Sequence, residues 1–125
     1  MTVTVEVVNS SGEDVAEDEA VTLARHVLAQ QGIEAGDLGL SFVTAEKMRE
    51  LKQEHLGLDE ATDVLSFPID AGDELPPGLP RQLGDVVVCP QVVGRDWRRP
   101  LVHGLLHLLG HEHGPTMEAL EEAWS

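Results

Sequence analysis

The chain predicts an α+β domain in which one mixed four-stranded sheet is packed with helices. Three observations predict it. Four short segments rich in β-branched and apolar residues are interleaved with segments of helical periodicity, in the order strand, helix, strand, helix, strand, strand, helix, helix. The length of 125 residues suits one domain, predicted over residues 1–125, that can bury a core of its own. Apolar residues make up 42% of the chain, an ordinary share for a globular protein.

Residues 2–8, TVTVEVV, alternate and are β-branched, as a first strand requires. Ser10, Ser11, Glu13 and Asp14 then carry helix-start chemistry. Val15, Ala16, Ala20, Leu23, Ala24, Val27 and Leu28 follow at helical spacing, predicting an amphipathic helix from Asp14 to about Gln31, terminated by Gly32. Residues 38–44 (LGLSFVT) predict a second strand, and residues 45–55 a second helix closed by Gly57. Residues 63–69 (DVLSFPI) predict a third strand, which Pro68 assigns to a sheet edge or a strand end. A loop rich in proline and glycine occupies residues 70–82. Residues 83–89 (LGDVVVC) predict a fourth strand whose run of valines implies burial on both faces. A helix over residues 97–109 follows, and Pro115 opens a short acidic one, MEALEEAW.

Eight Lys and Arg against 23 Asp and Glu leave a formal charge of −15. So acidic a body repels a polyanion at long range, which argues against a non-specific nucleic-acid binder. Arg95, Arg98 and Arg99 nevertheless gather just ahead of the last long helix. This basic spot is a candidate grip for one phosphate or one partner, and equally a device for solubilising a helix start. The single cysteine, Cys89, excludes an internal disulfide and fits a reducing compartment. No apolar run is long enough to span a bilayer, and the N-terminal sequence lacks the pattern of a signal peptide, so a cytoplasmic protein without membrane contact is expected. Nothing in the sequence specifies an oligomeric state.

The stretch HGLLHLLGHEH, residues 103–113, holds four of the six histidines. His103 and His107 are four apart, so on a helix both imidazoles share one face and can reach one ion. The leucines between them predict a buried helix, where imidazoles without partners would be costly. Gly110 breaks the helix and lets a turn return a third ligand, for which His111 and His113 compete. The metzincin spacing H-E-x-x-H-x-x-G-x-x-H selects His113. Three imidazoles with an open position suit a catalytic zinc, so one Zn2+ per chain is expected on a helix-turn carrying HxxxHxxGxxH. Where the metalloproteases carry their general-base Glu, this chain has Gly104, so a base must come from elsewhere; Glu112 and Asp85 are the candidates.

These residues also resemble a known family. HGLLHLLGHEH is similar to the HGxLHLxGYDH signature of the YbeY family of bacterial zinc-dependent endoribonucleases. TDVLSFP at residues 62–68, LGDV at residues 83–86 and MEALE at residues 117–121 resemble three further family motifs, in the family's order, so that the resemblance spans nearly the whole chain. It implies a small α+β fold, zinc held by His103, His107 and His113, and hydrolysis of RNA phosphodiesters in ribosomal RNA maturation, with 16S rRNA processing and ribosome quality control as its setting. Ribosomal RNA and ribosomal particles or proteins are the implied partners.

The chain also departs from the family pattern. His111 and Glu112 stand where the signature has Tyr and Asp. In the stretch resembling LNxxYRxxDxPTDVLSFP, Leu56 stands at the arginine position, and a leucine cannot grip a phosphate. Arg95, Arg98 or Arg99 are the candidate replacements. The rival expectation is therefore a ribosome-associated assembly factor with an architectural zinc and weak nuclease activity, and a second rival is a metal-dependent hydrolase of a small substrate. For Thr62, Asp63 and Ser66, capping a turn and packing a strand edge is as good a reading as catalysis. Asp85 has the sharper reading of orienting a ligand imidazole and the blander one of a turn residue feeding a strand.

Overall fold

The computed structural model describes residues 3–33, 35–57, 63–69, 82–93 and 96–110. Within them the chain runs β1 (Val3–Asn9), α1 (Glu17–Gln30), β2 (Gly36–Phe42), α2 (Ala45–Leu56), β3 (Val64–Pro68), β4 (Gln82–Val88), α3 (Pro90–Val93) and α4 (Arg98–Leu108). The strands form one sheet in the order β1-β2-β4-β3; β1, β2 and β4 are parallel and β3 is antiparallel to β4. The sheet is therefore mixed, as expected. The expected final acidic helix and residues 70–81 of the expected loop lie outside the described residues, and Gln82, the last residue of that loop, instead opens β4.

Register divides the sheet into two faces. On one, Leu38, Leu40 and Phe42 of β2 stand beside Gly84, Val86 and Val88 of β4, and Ser66 and Val64 of β3 continue the rows. This face packs against α1 and α4 through Ala20, Ala24, Val27 and Leu28 on one helix and Leu101, Val102, Leu105 and Leu108 on the other. On the opposite face, Val87 and Cys89 pack with Val43 and with Met48 and Leu51 of α2, and Leu65 and Phe67 of β3 join them. The valine run of β4 is accordingly buried on both faces, as its composition predicts. β3 forms the sheet edge and ends at Pro68, where the missing N–H costs no ladder bond.

One local expectation needs correction, and one short element was not expected. α1 begins at Glu17 rather than near Asp14, with Ala16 as an N-cap that makes no side-chain bond. The serines ahead of it build a turn instead: Ser11 donates its hydroxyl to Asn9 Oδ1 at 2.6 Å and accepts from the Glu13 N–H at 3.1 Å. Their preference for local backbone partners serves that turn as readily as a cap. The single-turn α3 was not foreseen; Pro90 occupies its first position, where proline is favoured. α2 meets expectation at both ends. Thr44 accepts from the Lys47 N–H at 3.1 Å, and Gly57 adopts φ +71° after the last turn.

Candidate metal centre and substrate groove

α4 owes its position to a glycine. A Cβ on Gly104 would stand 2.7 Å from Val64 Cγ2 and 2.8 Å from Val86 Cγ1, so only glycine lets the helix lie this close to β3 and β4. The Ser66 hydroxyl donates to the Gly104 carbonyl at 2.6 Å and ties the edge strand to the helix at that point. Gly104 therefore marks the contact side of α4. The position that bears the catalytic Glu in metalloproteases is here pressed against the sheet, with no room for any side chain.

His103 and His107 flank this contact. Both are half-buried, and their ring centroids are 4.5 Å apart at an interplanar angle of 71°. They line a groove of about 680 Å3 together with Lys52 and Leu56 of α2, Asp63, and Val64, Leu65, Ser66 and Pro68 of β3. Because β3 is the sheet edge, side chains of α2, which packs on one face, line the same groove as side chains of α4, which packs on the other. Gly110 follows the helix with φ +96°, a conformation that turns the chain and that other residues resist.

This pair suits two of the three expected metal ligands: adjacent imidazoles on one helix face are borderline donors for zinc and similar ions. Among the described residues no group of three His, Cys, Asp or Glu could hold a metal. The expected third ligand His113, its competitor His111 and the candidate base Glu112 lie outside the described residues.

Asp85, the other candidate base, is not among the described residues that line this groove. It pairs with Gly39 and Phe67 on the α2 face of the sheet, opposite the face carrying α4. A Cβ on Gly39 would collide with the Asp85 carboxylate, so that glycine makes room for the aspartate. Asp85 lines a second cavity, of about 790 Å3, with Lys47, His55 and Val87.

The candidate arginines also separate. Arg98 donates to Glu19 Oε1 of α1 at 2.6 Å, and its guanidinium lies 4.7 Å from the centre of the Trp97 ring. The Arg98 hydrogen bond and, less strongly, its charge hold the Glu19 carboxyl below its ordinary value, and Glu19 in turn raises Arg98. Trp97 is buried and meets Phe42 edge to face at 5.7 Å. Arg98 thus serves the α1–α4 junction. Arg99 is exposed one turn before His103 and does not line the groove; Arg95 lies outside the described residues.

The comparisons with known proteins agree with the motifs. The family model described as Endoribonuclease YbeY matches residues 6–123. The chain belongs to the YbeY endoribonuclease family. A relative of that name in Micrococcus luteus is 39% identical over 134 residues, which cover 94% of this chain and 83% of the relative. Another, from Tropheryma whipplei strain Twist, is 42% identical over 120 residues, covering 84% of this chain and 68% of its own. A Thermotoga maritima protein solved in solution shares the fold, with a TM-score of 0.60 at 21% identity over 98% of this chain and 86% of its own. No helix among the described residues is long and apolar enough to cross a membrane.

The groove of this YbeY-family chain holds one cationic residue that reading the sequence did not single out. Lys52 precedes Leu56 by four residues on α2, and both line the groove that the histidines line. The spacing was legible; the approach of α2 to α4 around the sheet edge was not.

Proposed function

We propose that this YbeY-family chain is a single-zinc endoribonuclease that hydrolyses RNA phosphodiesters in ribosomal RNA maturation, with His103, His107 and His113 as the metal ligands. The observation that supports it most is the pair of half-buried imidazoles side by side in a groove at the sheet edge, in a chain of this family. When bound, the ion supplies Lewis acidity, lowering the pKa of a water and screening charge on the phosphoryl oxygens. The chain's own contribution is rigidity. Gly104 seats α4 on the sheet, Ser66 holds its carbonyl, and the buried Leu105 and Leu106 fix the rotation that turns both histidines into the groove. With no base at position 104 and Asp85 on the far face, Glu112 remains the candidate base. Ribosomal particles in the cytoplasm are the proposed working context.

A second reading, an assembly factor with an architectural zinc and weak cleavage, is favoured by one observation: Leu56, 57% exposed, lines the groove where the family motif has an arginine. Elemental mass spectrometry on tag-free protein tests the site. About one zinc per chain is expected in the wild type and none in His113→Ala, with RNA cleavage lost in the same variant. No metal in either protein after zinc is offered overturns the metal site. Ribosome co-sedimentation that survives His113→Ala, beside wild-type cleavage barely above background, selects the second reading.

A further inference from the structure

Lys47 and Lys52 are the only two lysines in the chain, and both lie on α2. They face different cavities. Lys47 lines the cavity on the α2 face of the sheet and sits 3.8 Å from Glu50. Lys52, half-buried, lines the groove with His103 and His107. Among the described residues lining that groove, Lys52 is the one Lys or Arg, in a chain with a formal charge of −15. Arg98 stands at the other end of α4, and Arg99 stands outside the groove lining.

We infer that Lys52 binds a substrate phosphate in this groove, supplying from one helical turn earlier the cation that Leu56 cannot. The geometry favours this exchange. Residues four apart stack on one helix face, so a charge moved from position 56 to position 52 stays on the same wall of the same groove. A lysine stem can lie along the apolar side of Leu56 while the ammonium reaches the anion. A cation beside imidazole ligands also has electrostatic purpose: in a half-buried groove a phosphodiester loses water contacts that an ammonium can replace. This assignment rests on the proposed nuclease function.

The test uses the full-length, tag-free, zinc-loaded protein and a single-stranded oligoribonucleotide. Lys52→Ala is expected to raise KM about tenfold, with kcat within about twofold, because one phosphate contact is lost. Lys52→Arg should restore most of the affinity, and so should Leu56→Arg placed in the Lys52→Ala background. Lys47→Ala, with the same charge change in the other cavity, should leave KM as it was. Amine acetylation read by mass spectrometry adds a measurement independent of turnover: RNA should protect Lys52 and leave Lys47 reactive. Circular dichroism and melting confirm that the variants fold, and Lys52→Gln, which keeps the stem, repeats the measurement if Lys52→Ala does not. Wild-type KM in both Lys52 variants, or equal protection of the two lysines, overturns the assignment while leaving the nuclease reading intact. An increase in KM with Arg99→Ala but not Lys52→Ala does the same and moves the role to Arg99. A wild-type protein that neither binds nor cleaves RNA overturns both.

Discussion

Two cavities flank the edge strand β3, and their inventories are nearly alike. Each receives one lysine from α2, and each has histidine and aspartate: Lys52, His103, His107 and Asp63 in one, Lys47, His55 and Asp85 in the other. They are also similar in size, at about 680 and 790 Å3. What separates them is mutual geometry. The first has two imidazoles four residues apart on a helix held against the sheet. The second has one, exposed on the last turn of α2 and tilted against Phe67 at 4.9 Å. A list of polar residue types therefore does not make a metal site; convergent donors on a fixed element do.

The largest expected effect breaks the comparison along that line. His103→Ala removes one of three proposed ligands and should abolish stoichiometric zinc and lower RNA cleavage by roughly a hundredfold or more. His55→Ala should leave both unchanged, since that cavity holds a single imidazole, tilted against an aromatic ring, with no second histidine beside it on its helix. Zinc retention in the first variant, measured on tag-free protein, would remove the distinction between the cavities.

The two glycines test the scaffold beneath the donors. Gly104→Ala drives a methyl into Val64 and Val86, both held by packing on the sheet. Either α4 lifts or β3 shifts, at a cost of about 1–3 kcal/mol, and the histidines move with the helix. Gly39→Ala meets the Asp85 carboxylate instead, the end of an exposed side chain that can rotate away. Its effect should stay within about 0.5 kcal/mol. Denaturant unfolding of both variants, with zinc titration of the first, measures the difference. Equal destabilisation would mean that the helix is no more tightly seated at Gly104 than β2 is beside Asp85 at Gly39.

These comparisons also show where sequence reasoning reached and where it stopped. The strands, their mixed sheet, the edge position of β3 and the histidine pair were all legible, because they follow from local periodicity, Pro68 and an i,i+4 spacing. The side of the sheet on which Asp85 stands was not. Alternation along β4 says that Asp85 and Val87 share a face, but both faces of that strand are buried, so composition alone does not say which one α4 covers. Lys52 was missed for a related reason. Its partners in the groove come from β3 and α4, and only the tertiary packing of α2 around the sheet edge brings them together. The start of α1 was misjudged because Ser10 and Ser11 suit a turn as well as a cap, and Asn9 supplied the turn partner.

The smallest expected effect concerns Arg98, which lines neither of these cavities. Arg98 sits in the first turn of α4, where the helix dipole disfavours positive charge, and Glu19 from the first turn of α1 offsets it. Because the folded Glu19 carboxyl lies below its ordinary value of 4.5, the folded protein binds that proton less readily than the unfolded chain does. The pair's contribution is thus fully present above the unfolded value and fades as pH falls through the folded one. Glu19→Gln should therefore lower the melting temperature slightly near neutrality, and the wild type and variant should converge in acid. Both partners are exposed, so the shift should be small and should shrink further in salt. The same variant frees the Arg98 guanidinium. If it tightens RNA binding, Arg98 can reach a substrate after all; unchanged KM would leave it a structural cation of the α1–α4 junction, with phosphate binding confined to the histidine groove.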